Sequence, residues 1–322
     1  MKRVLFYITP HGFGHAVRTI ELSNQLTAKD PSVRPIINTG AVEWLFKQRL
    51  DADFEYIQCE NDIGVVQKDW RGVEKLETLR RYEQFIEKEP EFIRSQVDFV
   101  KRNDITAIVS DIPATPFVIA KQAGVPGFGI TNFSWDWIYE PYAEQYPQYR
   151  FVVEHLRQCY HLADCLLRLP FYGDLSAFPV IEDIPLIATR STAKRDDVVQ
   201  NLNIAPERKI VLLYLGSFDY GRVLTDEVLQ REDYYFLTPE PYSNRDLPFQ
   251  DLLKAADVAV TKPGYGIVSE CIANQTPIMY TAREDFREYH PLVEGLKKYA
   301  HNHFIPQEEL LGGGLVGHLD QL

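Results

Sequence analysis

Short apolar runs rich in β-branched and aromatic residues recur along this chain, and each ends in a turn that leads into a helical pattern. The first is Val4 to Thr9. Val33 to Gly40, Ala107 to Asp111, Val125 to Ile130, Lys209 to Leu215, Asp257 to Thr261 and Thr276 to Tyr280 follow. Runs this apolar and this short read as strands covered on both faces. Strands alternating with helices pair in parallel through right-handed crossovers. The expected class is therefore α/β.

The alternation occurs twice. Between the two series, from Leu169 to Pro185, prolines and turn residues accumulate. A chain of 322 residues is also long for one ordinary core. The expected organisation is an amino-terminal Rossmann-like domain over 1–170, a linker over 171–205 and a carboxyl-terminal Rossmann-like domain over 206–322, facing one another across a cleft. Glu74 to Lys101 is expected to be a charged, amphipathic helix that Pro90 breaks or restarts. The tail around Gly312-Gly313-Gly314 reads as loose.

Charge and segment lengths exclude several classes. The net charge of −12 argues against a broad nucleic-acid surface. Val4 to Ile8 is too short for a signal-peptide core, and no run approaches membrane-spanning length, so the expected location is the cytoplasm. Cys59, Cys159, Cys165 and Cys271 form no C-x-x-C pair and read as reduced thiols, with neither a disulfide frame nor a zinc site.

Two strand-to-helix turns carry the chemistry. In Lys262-Pro263-Gly264-Tyr265-Gly266-Ile267-Val268-Ser269-Glu270, two glycines let a ligand approach the backbone. The first amides of the following helix lack internal partners, and its dipole favours an anion. Glu270 lies far enough into the helix to reach a ribose hydroxyl. Taken alone, the stretch is equally a phosphate cradle or a helix capped for packing. The other turn, Thr9-Pro10-His11-Gly12-Phe13-Gly14-His15, places His15 at the start of a helix. The positive helix end holds an imidazole in the neutral form that a general base needs. A capping or packing histidine is the competing reading. His11 lies in the same loop, and Asp111 ends a buried strand. Asp136 lies between Trp135 and Trp137, as in either a sugar-stacking wall or an aromatic core.

Other motifs fail. Val17 stands where a dinucleotide fingerprint needs its third glycine, and Asn38-Thr39-Gly40 offers no acid for a ribose. There is no G-x-x-x-x-G-K-[ST] and no G-x-S-x-G. Asp51-Ala52-Asp53 reads as an exposed turn before a strand at Phe54 to Ile57, and His301-Asn302-His303 as a surface turn.

Together, Pro10 to Arg18 and Gly264 to Glu270 resemble the GT-B glycosyltransferases, particularly the group that includes the peptidoglycan N-acetylglucosaminyltransferases. With Val109-Ser110-Asp111, Thr131 to Asp136 and Arg168-Leu169-Pro170 added, the chain is more similar to the glycosyltransferase-like amino-terminal region of plant L-arabinokinases and their stand-alone bacterial relatives. This resemblance implies a nucleoside-diphosphate sugar donor, UDP-linked, on the carboxyl-terminal domain. Glu270 would hold the ribose. Lys262, Gly264, Tyr265, Gly266 and Ser269 would line the diphosphate site, with Gly216-Ser217 in a second loop. An unidentified acceptor would lie against the amino-terminal domain near His11, Gly12, Gly14, Asp111, Trp135 and Asp136, with His15 as base. Inverting transfer with neither metal nor cofactor is implied. Two departures stand out. One glycine follows Leu215 where a pair is common, and Asp285-Phe286-Arg287-Glu288 stands where the family often has Asn or Gln for the donor sugar, with Glu288 the candidate there. A nucleotide-sugar sensor without catalysis and a nucleotide-sugar epimerase are the rival functions.

Overall fold

The structure is a computed structural model and describes residues 1–67, 72–216, 220–238, 247–283 and 285–321. The chain divides into two compact units. Met1–Lys68, Gly72–Ile187 and Phe286–Glu288 make the first, and Ala188–Asp285 and Tyr289–Leu322 the second. The break after Ile187 falls inside the segment 171–205.

The first unit holds strands β1 (Lys2–Ile8), β2 (Val33–Thr39), β3 (Glu55–Gln58), β4 (Ile105–Asp111), β5 (Gly127–Thr131), β6 (Cys165–Arg168) and β7 (Ile181–Asp183). They form one sheet in the order β3-β2-β1-β4-β5-β6-β7. Every pairing is parallel. The order reverses between β1 and β4. The chain leaves these adjacent strands towards opposite faces, so a crevice opens at their carboxyl ends, where open α/β sheets bind ligands.

Both faces of β1 are buried, and its period-two alternation divides it between two layers. Phe6 and Ile8 pack with Ala16 and Ile20 of the helix Phe13–Lys29. Leu5 and Tyr7 pack on the other face with Ile93, Val97 and Ile119. Ile93 and Val97 belong to the helix Lys75–Arg102, which runs unbroken through Pro90. The expected break does not occur because Pro90 is exposed. The proline ring lies on the outer side of an amphipathic helix, while the apolar stripe stays bound to the sheet.

The second unit holds β8 (Lys209–Tyr214), β9 (Tyr234–Leu237), β10 (Val258–Thr261), β11 (Ile278–Tyr280) and β12 (Asn302–Phe304). They form a parallel sheet in the order β12-β11-β10-β8-β9. Its order reverses between β8 and β10, the strands that lead to Gly216 and to Lys262. His301-Asn302-His303, expected as a turn, runs into β12. The tail is also not loose. The helices Gln307–Leu311 and Leu315–Leu319 bury Leu310, Leu315 and Leu319 against Val211, Leu213, Val260 and Met279. The glycine triplet joins these two short helices.

The buried tail has a measurable consequence. Leu315 is fully buried, so Leu315→Ala should cost about 2–5 kcal/mol by leaving a cavity. A lowered urea midpoint of unfolding will show this, whereas a loose tail would leave the midpoint unchanged.

Candidate active site

β1 ends at Ile8, and the chain turns through Gly12 into the helix Phe13–Lys29. Gly12 has φ 78 and ψ 155, a region essentially closed to residues with a Cβ. It makes no side-chain cap, and the first turn carries no acid. The turn brings His15 one position from full entry into the helix, directly over the reversal between β1 and β4.

Asp111, the last residue of β4, meets it there. His15 Nδ1 lies 3.0 Å from Asp111 Oδ1. Asp111 is 1% exposed and so needs compensation. Arg18, itself buried, supplies it: Nε donates to Asp111 Oδ2 at 2.6 Å and Nη2 to Oδ1. Thr19 donates its hydroxyl to the same carboxylate at 3.1 Å. Arg18 Nη1 reaches Asn132 Oδ1 at 3.0 Å, and Asn132 Nδ2 donates to Glu288 Oε1 at 2.9 Å. Arg18 and Thr19 follow His15 by about one turn, so the three side chains share a helix face.

The electrostatics agree with this geometry. Burial raises the pKa of Asp111, but the Arg18 guanidinium and then His15 outweigh it, leaving the carboxyl below its usual range. His15 is held below the ordinary histidine value, by burial first and then by Arg18, against opposing pulls from Asp111 and Glu288. The direction is the one read from the sequence, but the cause is burial and a neighbouring cation. With Nδ1–H donated to Asp111, Nε2 keeps its lone pair and the ring is neutral. Arg18 Nη2 also lies 2.9 Å from His15 Nδ1, which makes Arg18 a direct influence on the tautomer.

The chain just after Asp111 is strained. Ile112 is β-branched yet has φ 83, a conformation that costs of order 1–3 kcal/mol. Tyr160 donates its hydroxyl to Ile112 O at 2.8 Å and Ser110 donates to Pro113 O at 2.6 Å, which holds the reversal.

His11 faces the loop 61–65. Its Nε2 donates to Ile63 O at 2.5 Å, and its ring meets Trp135 edge-on at 6.0 Å. Trp135 Nε1 donates to Asp62 Oδ2 at 2.6 Å. Burial raises Asp62 above the ordinary carboxyl value despite His11 and its hydrogen bonds. Trp135 is 1% and Asp136 5% exposed. They form no open stacking wall: Trp135 lies stacked on Tyr139, and Asp136 is held by Arg157 at 3.3 Å. Sequence reasoning missed Arg18, Asp62 and Asn132 as members of these networks. Arg18, in the motif H-G-F-G-H-A-V-R, was the one with a signal: a cation one turn after the histidine on an otherwise apolar helix face.

In the second unit, Gly264 caps the helix Tyr265–Asn274 from extended backbone, without a side-chain cap. Among the described residues, a Cβ there would meet nothing within 4 Å. Glu270 is 4% exposed within this helix. Ser269 is buried and donates its hydroxyl to Gly266 O at 2.9 Å, turned back onto its own helix. Lys262 is half-buried. Gly216 has φ 65 at the end of β8, and Ser217 lies outside the described residues. Glu288, expected beside the donor, belongs to the first unit. There Phe286 packs on Phe133 at 5.7 Å and Arg287 donates to Trp137 O at 2.6 Å. Asp51 and Asp53 are exposed. His303 Nε2 lies 2.7 Å from His318 Nδ1, and Glu309 meets the other nitrogen of His318 at 2.8 Å.

Gly64 supplies a test of the loop over His11. It has φ 60, and a Cβ there would stand 1.7 Å from His11 Cδ2. Gly64→Ala should destabilise by at least about 1 kcal/mol, read as a melting point lower by a few degrees. An unchanged melting point would mean that the loop does not pack on His11.

No family model matches the chain. It is 29% identical over 331 residues to L-arabinokinase of Arabidopsis thaliana, covering 98% of this chain and 32% of that protein. The chain therefore spans about a third of the length of that relative. It is 24% identical over 234 residues to an uncharacterised glycosyltransferase of Methanopyrus kandleri, covering 66% of each. Among solved structures it is similar to UGT2 of Phytolacca americana complexed with UDP-2-fluoroglucose and pterostilbene, with TM-score 0.66, 11% identity, and 100% of this chain and 90% of that one covered. It is also similar to MurG of Acinetobacter baumannii, with TM-score 0.56, 12% identity, and 99% and 91% covered. Among the described residues, no helix is long and apolar enough to cross a membrane. With two parallel, doubly wound sheets and these matches, the chain has the GT-B fold, the architecture of the glycosyltransferases it resembles.

Proposed function

We propose that the protein transfers a sugar from a UDP-linked donor to an acceptor hydroxyl, inverting the anomeric centre without a catalytic metal. The observation that carries this reading is the His15–Asp111 contact at the strand-order reversal of the first unit. A neutral imidazole oriented by a buried carboxylate is a general base that stays available near neutral pH. One base acting on one hydroxyl suffices for direct displacement, and direct displacement inverts.

The donor assignment rests on the second unit. The open amino terminus of Tyr265–Asn274 offers backbone N–H groups and a positive dipole end to a diphosphate. As the sugar leaves, negative charge grows on that diphosphate, and fixed donors stabilise it without reorganising. Glu270 would take the ribose hydroxyls and Lys262 would add charge beside the phosphates. UGT2 is complexed with a UDP-sugar analogue, which supports uridine as the base. The hydroxyl-bearing acceptor would meet His15 Nε2, while Glu288, bound to Asn132 and felt by His15, would orient the transferred sugar.

A panel of nucleotide sugars, read by thermal shift and product analysis, tests the reading. Donor-dependent stabilisation with transfer to an added acceptor, or hydrolysis of the donor, is the expected result. Stabilisation without chemistry would instead mean a sensor. Release of an altered sugar nucleotide without acceptor would mean an epimerase. His15→Ala should lower kcat by about 10²–10⁴-fold and leave UDP affinity within twofold; undiminished turnover removes His15 from the mechanism. The pH profile follows from the direction of the shift. A base must be unprotonated, and a lowered constant keeps it so at more acidic pH. The acid limb of kcat/KM should therefore lie below the ordinary histidine value of about 6.5. Removing the Arg18 cation would relieve one of the two lowering causes, so Arg18→Met should move that limb upward.

A further inference from the structure

We propose that Glu89, His155 and Cys159 form a binding site for one divalent transition-metal cation of the zinc class, holding helices of the first unit together. The proposal stands apart from the sugar-transfer reading and involves none of its residues.

His155 and Cys159 lie four residues apart on the helix Arg150–Tyr160 and so project from one face. Glu89 projects from the helix Lys75–Arg102. His155 Nε2 lies 2.7 Å from Glu89 Oε2 and 3.6 Å from Cys159 Sγ, and the three ligand atoms are mutually within 4.8 Å. Glu89 and Cys159 are each 4% exposed. The side chain of His155 is 26% exposed, which leaves a side from which a water could complete four-coordination.

Hydrogen bonding alone satisfies this cluster poorly. A single ring nitrogen faces both a carboxylate and a sulfur. If Nε2 carries its proton towards Glu89, it cannot accept from the thiol. If it accepts from the thiol, it has nothing to donate to the carboxylate. One cation at the point of convergence would take a lone pair from all three atoms at once. Thr115 donates its hydroxyl to the other carboxylate oxygen, Oε1, at 2.5 Å, which orients Glu89 as outer-shell partners orient metal ligands.

The spacing fits the chemistry. Bonds of about 2.0–2.2 Å to nitrogen and oxygen and about 2.3 Å to sulfur set tetrahedral ligand atoms roughly 3.3–3.7 Å apart. The sulfur–nitrogen distance already matches. The nitrogen–oxygen distance must open by about 0.6 Å, which carboxylate rotation provides. A nitrogen, sulfur and oxygen set selects zinc or cobalt over magnesium and calcium, which take oxygen. Burial, with Glu89 behind it, pushes the free Cys159 thiol up to about 12. The cation must therefore expel that proton, as a coordinating metal does.

The test uses the full chain, stripped with a chelator and titrated with cobalt(II). One equivalent should produce the visible bands of tetrahedral cobalt and a near-ultraviolet thiolate-to-cobalt band, both displaced by zinc and untouched by excess magnesium. Cys159→Ser should remove the thiolate band, and His155→Ala and Glu89→Gln should each weaken binding at least tenfold. Thr115→Val, which keeps all three ligands, should weaken it by about 10–100-fold. Absence of the thiolate band in the unaltered chain would overturn the proposal. So would its persistence in Cys159→Ser or its loss in Cys59→Ser. If His155→Ala or Glu89→Gln melts early, the folded Cys159→Ser and Thr115→Val proteins carry the comparison.

Discussion

The buried pair between Arg18 and Asp111 is the interaction on which the first unit's site depends. Two ions removed from water gain from each other only when geometry is good and their remaining hydrogen-bonding positions are filled. Here they are filled: Thr19 and His15 complete the carboxylate, and Asn132 takes the third arm of the guanidinium. The members come from three places in the fold: the helix after β1, the end of β4 and the residue after β5. The pair therefore ties together the three chain segments that border the strand-order reversal. Its guanidinium also adds to burial, the larger cause, in holding His15 below the ordinary histidine value and so favouring its neutral form.

That arrangement is held by backbone features as much as by side chains. Gly12 admits a φ and ψ that no other residue adopts readily, and it aims His15 at β4. Ile112 adopts a φ that its own branched side chain disfavours, and it does so immediately after Asp111. Strain of this kind persists only where neighbours over-determine it. Tyr160 and Ser110 do so here, the first from a helix that is packed within the same core cluster. The carboxylate is thus presented by a turn that the core holds in place, and its position does not rely on the ion pair alone.

Strand positions and fold class were legible in the sequence because each central strand is buried on both faces and so reads as a continuous apolar run. The strands β6, β7, β9 and β12 and the tail helices were not. They are short, and their burial comes from partners far away in sequence, such as Leu315 against Val211. Pro90 misled for a related reason. Local rules say that proline ends a helix, but an exposed proline opposite a bound apolar stripe only bends one. His15 and Asp111 were legible because both sit at strand ends. Asn132 was not, and Arg18 carried only the signal of a cation one turn after the histidine, since the burial of an arginine is recognisable only once its carboxylate is known. Trp135 shows the reverse ambiguity. An aromatic-rich stretch at a strand end reads as a ligand wall, and here the same residues fill a core.

The two units present their candidate groups differently. The first unit offers a network of ionised side chains whose members compensate one another, so losing one leaves a buried charge unpaired. The second holds the helix Tyr265–Asn274, whose first amides are backbone groups without intrahelical partners. Gly264 caps that helix: it is not needed for its φ, and among the described residues no atom stands where its Cβ would be. Its value lies in the space it leaves at the helix end. The departures from the family pattern, one glycine after Leu215 and an acidic segment at 285–288, fall outside that helix end. If that helix end is the anion site proposed above, the residues that would select the sugar can change without altering it.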